Sequence, residues 1–285
     1  MPRVVAPGTH EADPRSTEST MADEPEDLSV LIRDQRDAVL VLRLNRPEAR
    51  NAFNPELMGE LGAALHDAES DPTVGAVVIT GTGDRSFCAG MDLRAFSSGG
   101  GSTPTGSAEG QATFSRFLGG ETLDIPIVGA AQATAVAGGF ELLLNCDLAV
   151  VAEDAKLGLP EVKRALCAAG GGVFLSNRIP LALALELTLT GDYISAQRAY
   201  EIGLVNRVVP ADQVVDAAVE LATTIARNGP LALRATKEVV RLANTDMVAA
   251  RERFAEWMPK VFGSQDAQEG ALAFVEKRDP VWKGE

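Results

Sequence analysis

Apolar residues fall along this chain in two rhythms. LSVLIRD and AVLVLRL, between residues 28 and 44, are rich in Val, Leu and Ile and meet at a polar turn around Asp37, which predicts a β-hairpin. Asn54 followed by Pro55 supplies a helix N-cap and first position. The segment PELMGELGAALHDAES that they open carries apolar residues at a spacing near 3.6. VGAVVIT (74–80), IVGAAQ (127–132) and DLAVVAE (147–153) are short continuous apolar runs, the pattern of strands covered on both faces. Strands alternating with helices predict an α/β domain. After about residue 180 one more short strand is expected, Leu204–Val209. From Ala211 onward the rhythm is helical, with helices near 211–228, 230–242, 247–261 and 265–277.

These patterns divide the chain into a tail (1–27), an α/β core (28–210) and a helical C-terminal module (211–285). The tail is rich in Pro, Ser and Thr and holds Glu11, Asp13, Glu18, Asp23, Glu24, Glu26 and Asp27 against Arg3 and Arg15. Such a segment has too little apolar surface to order itself and is expected to be disordered. SSGGGSTPTGSAEG (97–110) reads as a flexible loop.

Charge and composition narrow the functional classes. Against 26 basic residues stand 40 acidic ones, for a net charge of −14. That balance argues against nucleic-acid or anionic-membrane partners, which need a basic patch. No apolar run reaches the roughly 18 residues of a membrane span, and a cytoplasmic location is expected. Three cysteines (Cys88, Cys146, Cys167) form no CxxC pair, and His10 and His66 are the only histidines. A His-dependent triad or His-rich metal site is therefore not expected.

The candidate chemistry lies in two glutamates among apolar neighbours: Glu141 in AGGFELLLNCD and Glu161 in KLGLPEVKR. A buried carboxylate must be paired, hydrogen-bonded or protonated, and two delivered to one pocket would form a general acid/base pair. Gly138-Gly139 lead into a helix whose first N–H groups lack partners within it, so that end can hold an oxyanion. Glu141 in the first turn could equally serve only to complement the helix dipole. FCAGMDL (87–93), at a strand's carboxyl end, offers bare backbone of the same kind.

Taken together and in order, RNAFN (50–54), FCAGMDL, AGGFELLLNCD, KLGLPEVK and DAQEGALAFVEKRDPVWKG resemble the crotonase, or enoyl-CoA hydratase/isomerase, superfamily. The resemblance covers about residues 28–285 and implies a ββα spiral core with a C-terminal helical oligomerisation module. It implies an acyl-CoA thioester as substrate, with no metal or other cofactor, and an assembly into a homotrimer or a hexamer of two trimers. Met91 and Gly138 resemble the family's main-chain oxyanion donors. Glu141 resembles the residue that activates water, and Glu161 the residue exchanging a proton at the α-carbon. Arg50, Ala52, Phe53, Ala89, Gly90, Asp92 and Leu93 resemble segments that wrap CoA. The implied activity is hydration of trans-2-enoyl-CoA to 3-hydroxyacyl-CoA. The alternatives are isomerisation, another crotonase-type acyl-CoA reaction, or acyl-CoA binding without catalysis. One departure stands out: PEVKRALCAAGGG places Ala165 or Leu166 where the family often has Gly, and lacks a Pro. The loop at 97–110, directly after the oxyanion segment, is expected to border the entrance.

Overall fold

The computed structural model describes Met1 and residues 29–97 and 103–285, so the tail beyond Met1 and residues 98–102 of the Gly/Ser loop lie outside the described residues. The hairpin is formed by β1 (Leu31–Arg36) and β2 (Val39–Leu44), with Asp37 turning in the left-handed region at φ 51°. The helix α1 (Pro55–Ser70) follows, its Leu57 N–H donating to the Asn54 side chain. Next come β3 (Ala76–Gly81), α2 (Leu93–Ser97), α3 (Ala108–Leu118), β4 (Ile127–Ala131) and β5 (Ala135–Val136). They are followed by α4 (Gly138–Asn145), β6 (Leu148–Ala152) and β7 (Lys156–Gly158). After two 3-10 turns come α5 (Leu181–Thr190), β8 (Ile194–Ser195), α6 (Ala196–Glu201) and β9 (Arg207–Val209). The chain ends in α7 (Val214–Ala226), α8 (Pro230–Ala243), α9 (Met247–Phe262) and α10 (Gln265–Glu276).

The main sheet has the order β1-β2-β3-β4-β6-β9, parallel throughout except for the β1–β2 hairpin; a smaller sheet has the order β5-β7-β8. Successive side chains of a strand point to opposite faces, and both faces of the main sheet are covered. Leu42, Leu44, Val77 and Ile79 pack with Leu57, Leu61 and Leu65 of α1 and with Phe140 and Leu143 of α4. On the reverse face Val39, Val41 and Val78 pack with Val214, Ala218 and Ala222 of α7. The helical stretch after residue 211 is therefore not one unit, because α7 closes the second face of the sheet. α8 is fastened to the sheet by Asp147, which pairs with Lys237 at 2.7 Å and Arg241 at 2.8 Å and accepts from the Ile127 N–H.

Two expectations change. The last strand is shorter than Leu204–Val209: Leu204 and Val205 are buried but precede it. Asn206, whose side chain accepts from the Ala149 N–H at 2.8 Å, aligns only Arg207–Val209 with β6. The loop at 97–110 also ends early, since Ser107 caps α3 from Ala108. α3 lies hard against α1 through glycines: a methyl group on Gly59 would meet the Thr105 carbonyl at 1.9 Å, and one on Gly62 the Gly110 carbonyl at 2.0 Å. That contact lays α3 over the cavity described next. No helix among the described residues is long and apolar enough to cross a membrane.

Candidate active site

Five segments meet around a cavity of about 420 Å³. Asn51 organises the first two. It is fully buried with φ 53°, and its side-chain amide donates to the carbonyls of Thr82 (2.9 Å) and Ser86 (2.8 Å), pinning the turn after β3. The Phe53 N–H then donates to Gly90 at 2.7 Å and the Asp92 N–H to Phe53 at 2.9 Å. These two bonds bracket Met91, and its own N–H has no acceptor among the described residues. Arg46 braces the arrangement from behind through a 3.2 Å pair with Asp92.

The third segment is the β5–α4 junction. Ala137, the residue before α4, is held at φ 53°, ψ −135°, a region disfavoured for a residue with a Cβ and typically costing about 1–3 kcal/mol. Its N–H donates to Gly158 at 2.9 Å, and the Val136 N–H to Cys88 at 3.2 Å. The strain buys an exact aim for the helix start: the Gly138 N–H, like that of Met91, has no acceptor among the described residues. The two donors are close neighbours, since a methyl group on Gly90 would lie 2.8 Å from the Gly138 nitrogen. Two free main-chain N–H groups, with the positive end of a helix behind one of them, are donors of the kind that can hold a developing oxyanion.

Glu141 occupies the first turn of α4 and is 4 % exposed. Its Oε1 accepts from the Gly172 N–H at 2.9 Å. The run Gly170-Gly171-Gly172 thus cradles a carboxylate of the protein itself, and a methyl group on Gly170 would crowd Oε2 at 2.7 Å. Asn145, the last residue of α4, donates to the carbonyls of Leu118 (2.9 Å) and Gly170 (3.0 Å), tying α3 and the glycine run to α4. Neither Asn51 nor Asn145 is marked by composition or periodicity. Each falls inside a motif that carries the family resemblance, Asn51 in RNAFN and Asn145 in AGGFELLLNCD, without a role of its own being marked there.

Glu161 arrives from a 3-10 helix, Pro160–Arg164, that follows β7. It is 9 % exposed, and neither of its carboxylate oxygens has a hydrogen-bond partner. Burial pushes its carboxyl above the ordinary range, against the pull of its own main-chain N–H and of Arg164. Glu141 is pushed up to about 7, first by burial and then by the charge of Glu161, while the N–H groups of Gly172 and Gly170 pull it down. Carboxyls that feel each other titrate as a pair.

The raised value has a stability consequence. A carboxyl that keeps its proton to about pH 7 when folded, against an ordinary 4.5, binds more protons folded than unfolded across that window. Stability therefore falls as pH rises from about 4.5 to 7. Glu141→Gln cannot ionise and keeps an oxygen for the Gly172 N–H. Well above pH 7 it is expected to be more stable than the parent by about 3 kcal/mol. Below about pH 4.5 the difference should vanish, as read by chemical denaturation across pH. A pH-independent difference would refute this origin.

The departure after Glu161 resolves to Ala165, which sits in the left-handed region at φ 56° and closes the 3-10 turn. A side chain there costs about 1 kcal/mol relative to glycine. Ala165→Gly is expected to raise unfolding free energy by about that amount without altering turnover; a loss of stability would show that the methyl group packs usefully.

Of the residues singled out in the sequence, Glu141, Glu161, Met91, Gly138, Phe53, Ala89 and Leu93 line the cavity. Gly90 and Asp92 support it from behind, Ala52 is buried, and Arg50 is exposed outside the lining with φ 55°. The rest of the wall includes Met58, Phe114, Leu118, Leu166 and Tyr193, which makes it mainly apolar; Phe53 and Phe114 meet edge to face at 5.5 Å. Among the described residues no group of three His, Cys, Asp or Glu side chains is placed to hold a metal ion.

The sequence pattern of the enoyl-CoA hydratase/isomerase family matches residues 34–285. The chain is 37% identical over 263 residues to a carnitinyl-CoA dehydratase of Proteus mirabilis, covering 87% of this chain and 96% of that one. It is 40% identical over 253 residues to an enoyl-CoA hydratase of Mycobacterium tuberculosis, with 87% and 94% covered. The crystal structure of an enoyl-CoA hydratase from Mycobacterium tuberculosis superposes with a TM-score of 0.82 at 40% identity, covering 90% of this chain and 100% of that chain. The fold is the crotonase fold, and the chain belongs to the enoyl-CoA hydratase/isomerase family.

Proposed function

We propose that the protein is an enoyl-CoA hydratase that adds water across trans-2-enoyl-CoA thioesters to give 3-hydroxyacyl-CoA. The observation that carries this reading is the placing of two buried carboxyls, one of them unpartnered, in the same apolar cavity as two unpaired main-chain N–H groups. The N–H groups of Met91 and Gly138 hold the thioester oxygen and draw electron density from the conjugated double bond. Glu141, as carboxylate, takes a proton from water while the water oxygen bonds to the β-carbon. The π electrons move onto the thioester oxygen as an enolate, which the same two donors stabilise. The enolate collapses as the α-carbon takes a proton from Glu161. One water is consumed, and the proton gained by Glu141 and lost by Glu161 is re-equilibrated within the pair.

Phe53, Ala89 and Leu93 would border the CoA arm, and Arg50 would meet its phosphates at the surface. The exposed Phe254, Phe262, Phe274 and Val275 of α9 and α10 favour burial between subunits of a trimer, which sedimentation analysis would test. The activity is tested with crotonyl-CoA and longer trans-2-enoyl-CoAs, following loss of conjugated-thioester absorbance and the mass of the product. Binding without turnover across that panel would sink the hydratase reading. A second reading, elimination of water from a functionalised 3-hydroxyacyl-CoA, is favoured by the relative named as a carnitinyl-CoA dehydratase. It uses the same groups in reverse. Isomerisation, which needs one proton carrier, would survive Glu141→Ala; the hydration proposed here would not.

A further inference from the structure

Asn145 directs its side-chain amide at two main-chain carbonyls, Leu118 at 2.9 Å and Gly170 at 3.0 Å. Leu118 ends α3, where the last carbonyls have no partner within the helix. Gly170 opens the glycine run beside Glu141, and that run leaves no room for side chains. A methyl group on Gly170 would lie 2.7 Å from Glu141 Oε2 and 3.1 Å from Leu118 Cγ, and one on Gly171 3.2 Å from Asn145 Oδ1. Gly171 turns at φ 100°, and N–H groups gathered by such a turn form a concavity for an anion. The anion here is Glu141, whose Oε1 accepts from the Gly172 N–H at 2.9 Å, with the Gly170 N–H also directed at the carboxylate. Asn145 is held from behind, since the Arg241 guanidinium donates to its carbonyl at 3.1 Å.

We propose that Asn145 is a positioning residue for Glu141. By holding the Gly170 carbonyl it keeps the glycine run turned so that its N–H groups face the Glu141 carboxylate. By holding the Leu118 carbonyl it fixes that run against the α3 wall of the cavity. Asn145 does not line the cavity, so it acts without touching substrate. The inference rests on the reading of Glu141 as the base that activates water. A base must be ionised to work, and N–H groups donating to a carboxylate favour its ionised form. Burial and the charge of Glu161 push the other way, so the glycine run supplies the opposing pull. The remaining titratable groups on the cavity wall are Arg164 on the Glu161 turn, Cys167 on the loop after it and Tyr193 before β8. From α3 come only Phe114, Ser115 and Leu118, and from the oxyanion segments no titratable side chain. Arg178, Arg241 and Asp147 lie at the far end of α4.

The test is an infrared pH titration of protein labelled with ¹³C-carboxyl glutamate, the Glu141 band being assigned by its absence in E141Q. In Asn145→Ala the glycine run loses its anchor, and the Glu141 midpoint is expected to move up from about 7 by about half to one pH unit. Asn145→Ser keeps one donor and should shift it less in the same direction, which serves if the alanine variant does not fold. The acid limb of kcat/KM against pH should move with the midpoint, giving about three- to tenfold less activity on that limb. Asn206→Ala is the control, because it gives up a comparable bond, to the Ala149 N–H at 2.8 Å, away from the site. It should lower stability while leaving the Glu141 midpoint and the acid limb in place. A parental midpoint in Asn145→Ala overturns the proposal, as does an equal shift in Asn206→Ala. The titration needs no turnover. An inactive parent whose Glu141 still shifts in Asn145→Ala would contradict the hydratase reading while supporting this role for Asn145.

Discussion

Glu161→Gln is expected to lower kcat for enoyl-CoA hydration by about 10²–10⁴ while leaving acyl-CoA affinity close to that of the parent. The reason is specific to the environment of this side chain. Glu161 makes no hydrogen bond to the protein, so the amide loses none, and no partner is left unsatisfied. The burial that raises the carboxyl is relieved by the neutral amide, so the variant should fold at least as stably as the parent. Gln cannot deliver a proton to the α-carbon or remove one. Exchange of the α-hydrogen of 3-hydroxyacyl-CoA with deuterated solvent should therefore fall in parallel with hydration. Retention of exchange at the parental rate would move the α-proton role to another residue.

The second large effect is expected at Gly90. A methyl group there would lie 2.8 Å from the Gly138 nitrogen and 2.9 Å from the Ala137 Cβ, on a backbone at φ 82°. It would crowd the Gly138 N–H, one of the two proposed oxyanion donors, and shift the strained Ala137 that aims it. Loss of one such donor costs about 10²–10³ in rate, and Gly90→Ala is expected to lose at least that much in kcat. Gly83 supplies the control, because it has the same φ of 82° but only the Pro47 Cβ, at 3.4 Å, near an added methyl. Gly83→Ala carries a similar backbone penalty and should lower stability without lowering kcat. Equal kinetic losses in the two variants would show that the rate effect of Gly90→Ala is a folding defect.

Much of the scaffold was legible because its local signals agree with one another. The hairpin around Asp37, the Asn54-Pro55 start of α1, the buried strands β3, β4 and β6 and the helices from α7 onward each carry a period or a cap that tertiary contacts reinforce. Other elements were obscured. LALALELTLT alternates like a strand, yet it forms α5, with Ala184 and Leu187 its most buried residues. α3 begins inside a Gly/Ser-rich stretch, and its place is set by contact with Gly59 and Gly62 rather than by its own pattern. The small sheet β5-β7-β8 uses strands of only two or three residues, too short for any period to appear.

The same division holds at the site. Glu141 and Glu161 announce themselves because charges amid apolar residues are costly unless used, and the glycines mark where backbone must approach closely. Asn51 and Asn145 have no such signature. Their contributions depend on carbonyls brought from distant segments: Thr82 and Ser86 for Asn51, and Leu118 and Gly170 for Asn145. The strain at Ala137 is likewise invisible in the sequence, since a residue with a Cβ is not expected at that φ and ψ.

The central claim is that the two glutamates act as one unit on one water, and a double-mutant cycle on kcat for crotonyl-CoA hydration measures it. Groups that act together lose their shared contribution with the first replacement. Glu141→Gln, Glu161→Gln and the double variant are therefore predicted to fall to similar rates, within about tenfold of one another. Losses that multiply in the double variant, or a Glu141→Gln enzyme that hydrates at the parental rate, would contradict the account.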